Sequence, residues 1–228
     1  MAILLDSSDL AQVERFHRMG IIQGVTTNPT ILLKDGVSGG LKGIEARAKA
    51  IAALIAPYDV SIEVTSNEPK EMLRQAQLLA GWAKNIVVKI TVHGPNGELD
   101  NLEVAHRLET EQGIRINVTA MMSAQQAFLA ALAGATYVSI FAGRVNDMGY
   151  NACSEIGKLR RLLDQFGLKS KIIVGSVREV LNVIEWLDAG AHNVTVAPQL
   201  LERMLVHPYT KETVQMFLRD AAKLGLIS

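Results

Sequence analysis

Short, almost uninterrupted apolar runs alternate with amphipathic stretches along this chain from end to end. Eight runs read as β-strands: residues 3–5, 24–27, 60–64, 86–90, 114–118, 137–141, 172–175 and 193–196. Most lack the apolar–polar alternation of a half-wetted strand, which is the pattern of a parallel sheet covered on both faces. Between them, apolar positions recur at helical spacing over 10–19, 41–56, 69–82, 102–112, 124–133, 152–166, 177–189 and 200–205. Asn67-Glu68-Pro69 opens one helix with proline in its first turn. Gly113, Gly134 and Gly190 stand where a C′ glycine ends others.

Eight strand–helix units predict the α/β class and a (β/α)8 TIM barrel. A doubly wound open sheet would have fewer strands and usually a G-x-G-x-x-G turn after the first, and none follows Leu5. No linker divides the chain, so a single domain over 1–228 is expected, with residues 37–40 and 93–98 as local loops. His207-Pro208 breaks the pattern, and 211–224 form one more amphipathic helix. Its Val214, Phe217, Leu218 and Ala221 need a surface to cover, on this barrel or on a neighbouring subunit.

Composition narrows the picture. The chain is 49% hydrophobic but only 5% aromatic, so its core is aliphatic. Lys plus Arg and Asp plus Glu number 23 each, which removes any bulk-charge argument for nucleic acid or an anionic membrane. Anion binding must be local. Cys153 is the single cysteine, so no internal disulfide forms and a cytoplasmic location is expected, with the thiol read as a small filler on a helix. The apolar start, Ala2 to Leu5, is too short for a signal segment, and no stretch approaches a membrane span.

In this barrel class, chemistry sits at the C-terminal ends of the strands. Those ends carry Asp6, Thr26-Thr27-Asn28-Pro29, Glu63 with Thr65, Lys89 with Thr91, Asn117 with Thr119, Ser139 then Arg144, and Gly175-Ser176 then Arg178. Individually, Asp6 and Ser123 also fit helix N-caps, Thr27-Asn28-Pro29 a turn, and Thr65 a hydroxyl bonded to backbone. Converging from seven strands, such groups would be costly to desolvate without a polar ligand.

Lys89 is the sharpest of them. It closes Asn85-Ile86-Val87-Val88-Lys89-Ile90, where burial disfavours the ammonium and enlarges the neutral, nucleophilic fraction that Schiff-base chemistry needs. The same position also suits a solvated lysine with a snorkelling stem. Glu63, between Ile62 and Val64, is expected to face the barrel interior and pair with Lys89 on the next strand. Arg144, Ser176 and Arg178 suit a phosphate dianion, with Gly143 and Gly175 permitting close backbone approach. A phosphorylated carbonyl compound follows as the substrate class.

The ordered segments Leu5-Asp6, Gly24-Val25-Thr26-Thr27-Asn28-Pro29-Thr30, Ile62-Glu63-Val64, Val87-Val88-Lys89-Ile90, Ile116-Asn117-Val118-Thr119 and Ser139-Ile140-Phe141-Ala142-Gly143-Arg144 resemble the transaldolase family. The length is similar to its compact branch, which includes fructose-6-phosphate aldolase. The resemblance implies a class I Schiff-base enzyme with no metal or other cofactor. It implies that Lys89 forms the imine, that Asp6 takes the donor's C4 hydroxyl proton, and that Glu63 and Thr119 handle protons through a water. Asn28, Asn117 and Ser139 would hold the dihydroxyacetone unit, with Phe141 beside them. Arg144, Ser176 and Arg178 would hold the phosphate of the sugar.

Glu63 and Phe141 look like the transferase, since the aldolase carries glutamine and tyrosine there. Phenylalanine has no hydroxyl to protonate an enamine, which should then wait for an aldehyde. Thr91 departs from the proline usual soon after the lysine. The resemblance further implies a homo-oligomer, pentamer or decamer, with the terminal helix over a neighbour. Three alternatives stay open: a fructose-6-phosphate aldolase, a relative building a longer sugar on ribose 5-phosphate, and a sugar-phosphate binder without catalysis.

Overall fold

The computed structural model describes residues 1–226; of the domain expected over 1–228, residues 227 and 228 lie outside the described residues. Eight parallel strands close into a barrel in chain order: β1 (Ala2–Asp6), β2 (Gly24–Thr26), β3 (Asp59–Glu63), β4 (Ile86–Thr91), β5 (Ile116–Met121), β6 (Tyr137–Ile140), β7 (Lys171–Val174) and β8 (Asn193–Val196). Closure comes from β1 pairing with β8, Ala2 against Asn193 through Leu5 against Val196. The helices are α1 (Leu10–Arg18), α2 (Pro29–Lys34), α3 (Gly40–Ile55), α4 (Pro69–Ala80), α5 (Asp100–Glu111), α6 (Ala124–Leu132), α7 (Ala142–Asp147), α8 (Ala152–Gln165), α9 (Val180–Asp188), α10 (Pro198–Leu205) and α11 (Pro208–Lys223). This is the TIM barrel with an added C-terminal helix that the pattern predicts.

Alternate residues of each strand point outward and form the main core with the helices. Val88 and Ile90, Ile116 and Val118, Ile172 and Val174 pack there with Phe16, Ile51, Met72, Leu108, Leu159 and Trp186. The inward set is polar towards the C-terminal end. At the opposite end Asp59 accepts hydrogen bonds from Arg115 (2.7 and 2.8 Å) and from the Tyr137 hydroxyl (2.8 Å). Burial, then the neighbouring Asp59, pushes the Tyr137 hydroxyl well up. Gly24 faces inward too, and a Cβ there would come within 2.8 Å of Leu4 Cδ2.

Several boundaries differ from the sequence reading, each for a local reason. β5 begins at Ile116 rather than at 114, because the Ile114 N–H donates to Leu108 O in the exit of α5. It then runs on to Met121 with a register shift against β6, and Ala120 there takes a φ of 61°. Two short helices, α2 and α7, lie where the pattern predicts no element. Pro208 starts α11 at its first turn rather than ending an element. The α11 side chains are almost wholly exposed, Val214, Phe217 and Leu218 among them. No helix among the described residues is long and apolar enough to cross a membrane.

Candidate active site

A cavity of about 400 Å³ opens at the C-terminal mouth of the barrel. Asp6, Asn28, Lys89, Asn117, Thr119, Ser139, Phe141, Arg144, Ser176 and Arg178 all line it, so it gathers every residue given a role by the family resemblance except Glu63. They arrive together because inward positions of neighbouring strands stand level. Lys89 pairs in register with Glu63 on β3 and with Asn117 on β5, and Thr91 with Thr119.

Lys89 is 5% exposed, so the snorkelling reading does not hold. It is not in apolar surroundings either. Its Nζ donates to Thr27 O at 2.8 Å and lies 3.1 Å from Glu63 Oε2. Glu63 adjoins the mouth through this ion pair and lines a separate side cavity of about 280 Å³ with Leu41, Ile44 and Leu78. The pair therefore stands between two cavities.

Asp6 accepts from the Thr26 hydroxyl at 2.6 Å. Burial pushes its carboxyl up from the ordinary value; the Thr26 hydrogen bond, Lys89 and Lys34 oppose this, and Asp35 adds to it. Asp6 is not the cap of α1, since that place belongs to Asp9. Ser123 does cap α6, and Thr65 bonds the Gln75 side chain rather than backbone. Asn28 caps α2, its Oδ1 accepting from Ile31 N at 2.9 Å, which leaves its amide protons for the cavity. Ser139 donates to Asn117 Oδ1 at 2.6 Å, and Asn117 Nδ2 reaches Ser61 Oγ at 3.3 Å. The Thr119 Oγ1 is buried with no hydrogen-bond partner among the described residues, a hydroxyl free for a ligand or water.

At the other side of the mouth, Gly143 of α7 lies against the loop after β7. A Cβ on Gly143 would overlap Ser176 O at 1.7 Å, so only glycine allows this approach. Ser176 is held at a φ of 64°, in the left-handed region that residues other than glycine adopt uncommonly. Arg144 stacks over the Phe141 ring, its guanidinium carbon 5.2 Å from the centroid, and has no carboxylate partner among the described residues. Arg178 is paired at 2.8 Å with Asp147 in a solvent-exposed contact, the weakest kind of ion pair.

Lys34, Thr30 and Ile31, all on α2, and Thr195 on β8 also line the mouth, beyond the residues the strand-end pattern singles out. The signal for α2 was present: Asn28-Pro29 repeats the cap-then-proline pattern used for α4. Thr195 shows the inward polar position of a period-2 strand. A larger groove of about 590 Å³ on the outer surface, between α6 and α8, shares no residue with the mouth. Cys153 lies on α8, half-buried, its thiol pushed up by burial.

Comparison with known proteins agrees with this geometry. Residues 3–226 match the family model described as transaldolase/fructose-6-phosphate aldolase. The chain is 38% identical over 220 residues to a probable transaldolase 2 of Listeria monocytogenes, covering 96% of this chain and 95% of that protein. It is 36% identical to a probable transaldolase of Dehalococcoides mccartyi, covering 96% and 97%. Among solved structures, a mandelate oxidase mutant with (S)-mandelic acid superimposes with a TM-score of 0.55 at 14% identity. That match covers 86% of this chain and 64% of the other, and it bears on the barrel alone. The whole-length matches at this identity make the chain a member of the transaldolase/fructose-6-phosphate aldolase family.

Proposed function

We propose that this enzyme is a class I transaldolase, moving a dihydroxyacetone unit from a ketose phosphate to an aldose phosphate through a Schiff base on Lys89. The observation that carries this reading is the buried Lys89 amine, paired to Glu63, in one cavity with Asp6 and the uncompensated Arg144. Passing the ammonium proton to Glu63 leaves the neutral nucleophile, so activation comes from a paired carboxylate more than from apolar burial. Lys89 then attacks the ketose C2. Glu63, with a water on the unpartnered Thr119 hydroxyl, serves loss of that oxygen. Asp6 takes the C4 hydroxyl proton as C3–C4 breaks. Asn28, Asn117 and Ser139 hold the three-carbon unit, and Arg144, Ser176 and Arg178 the phosphate.

Phe141 favours transfer over simple aldol cleavage, because no hydroxyl there can protonate the enamine. Sedoheptulose 7-phosphate and fructose 6-phosphate are the proposed donors; glyceraldehyde 3-phosphate and erythrose 4-phosphate are the proposed acceptors, as in pentose phosphate metabolism in the cytoplasm. The exposed apolar face of α11 and the groove between α6 and α8 support a homo-oligomer, pentamer or decamer, in this reading. The test is borohydride treatment with fructose 6-phosphate. A three-carbon adduct on Lys89, absent from Lys89→Met, is expected; an active enzyme that never traps the adduct overturns the Schiff base. An acceptor panel in which ribose 5-phosphate outruns erythrose 4-phosphate would instead favour a longer sugar product.

A further inference from the structure

We infer that Thr195 and Thr26 form a one-way chain of hydroxyl donors that fixes Asp6 as a proton acceptor, which makes Thr195 a positioning residue for carbon–carbon cleavage. The inference rests on the proposed role of Asp6 and deepens it. Thr26 Oγ1 donates to Asp6 Oδ1 at 2.6 Å, and Thr195 Oγ1 lies 2.5 Å from Thr26 Oγ1. Each hydroxyl has one proton, and an ionised carboxylate only accepts. The Thr26 proton is committed to Asp6, so the Thr195 proton must point to Thr26. Direction is set by the carboxylate at the end of the chain.

The three groups sit on consecutive strands across the barrel closure, β8, β1 and β2. Asp6 and Thr26 are register partners, and Thr195 lines the same cavity. Both threonines are buried, at 3% and 7% exposure. The Thr195 methyl is turned to β7, where a Cβ on residue 175 would lie 3.3 Å from it, so Gly175 leaves room for that orientation. Oδ1 of Asp6 is thereby occupied, while Oδ2 accepts no hydrogen bond from the described residues and is the atom left for substrate. In the cleavage step the C4 O–H proton passes to Oδ2 and the C4 carbonyl forms. The C3–C4 electron pair moves into a C2–C3 double bond, turning the iminium on Lys89 into an enamine. The hydrogen bond that Thr26 donates favours the ionised Asp6 carboxylate, against the burial that opposes it.

Asp6 is also faced by Lys89 from β4, by Lys34 of α2 and by Asp35 just beyond α2. None of these changes in Thr195→Val, which keeps the shape and removes the donor. Its kcat is expected to fall roughly threefold to tenfold, the scale of one hydrogen bond. The KM for fructose 6-phosphate should hold, and the acidic limb of kcat/KM should move to higher pH. Thr195→Ser should restore both. Titration of ¹³C-carboxyl aspartate by NMR reads Asp6 without turnover and should shift upward in Thr195→Val, or in Thr195→Ala should valine not fold. An unmoved Asp6 titration, or serine as impaired as valine, overturns the chain. Asp6→Asn separates the two ideas: if it cleaves at full rate, the proposed role of Asp6 fails, whatever Thr195 does.

Discussion

At Asp6 the proposed function opposes stability. Its folded-state carboxyl is raised above the ordinary value of 3.8, with burial the largest cause. Such a group binds its proton more tightly folded than unfolded. Its contribution is fully present below the ordinary value and lost as pH rises through the folded value. At neutral pH the charged form is therefore a burden, and Asp6→Asn, which keeps the Thr26 hydrogen bond, should unfold at higher temperature than the parent at pH 7 while losing cleavage activity. The gap should narrow as pH falls towards the carboxylate range. Equal melting temperatures at pH 7 would contradict the burial argument. At this scale the site was largely legible, since each inward polar residue interrupts an aliphatic run. The pairing that neutralises Lys89 was legible for Glu63, because adjacent strands in register place them side by side. The Thr27 carbonyl under the amine was not, because backbone leaves no mark on side-chain pattern. Thr195 carries no such mark, because a lone threonine in a strand is ordinary for its β-propensity.

Among the elements, the eight strands were legible because both faces are covered, and the long helices because one face is. The short ones have no apolar period. α2 has six residues and no fully buried side chain, so no apolar period announces it. α7 carries Gly143, a poor helix former, whose presence is dictated instead by the Ser176 carbonyl. α2 also joins structure to chemistry through Asn28, whose carbonyl oxygen caps the helix and whose amide faces the cavity. The two halves of that side chain can be tested apart. Asn28→Asp keeps a capping oxygen and removes the donors, so activity should fall with little change in melting temperature. Asn28→Ala should lose activity and also about 1 kcal/mol of stability, the usual worth of a cap. A calorimetric comparison of the two variants checks this, and equal destabilisation by both would refute the division.

For the whole molecule, the surface left unpartnered is α11. A helix with no buried residue among Pro208–Lys223, and with Phe217 and Leu218 exposed, gains little from its own barrel. Removing the residues after Pro208 should lower the proposed assembly state measured by sedimentation while leaving the barrel folded; an unchanged assembly state would refute this role of α11. The sequence showed this helix and its apolar face but not that the barrel declines to cover it, because that depends on the angle at which the chain leaves α10. Barrel closure has a different consequence. The strand that carries Asp6 is the first made, and the one that supplies Thr195 is the last, so the site's donor chain spans the longest loop the barrel must close. Contacts of that sequence separation form slowly. Helix content on refolding can thus return before a competent site does, and a nascent chain still lacking β8 holds an incomplete catalyst, so activity reports that the ring has shut.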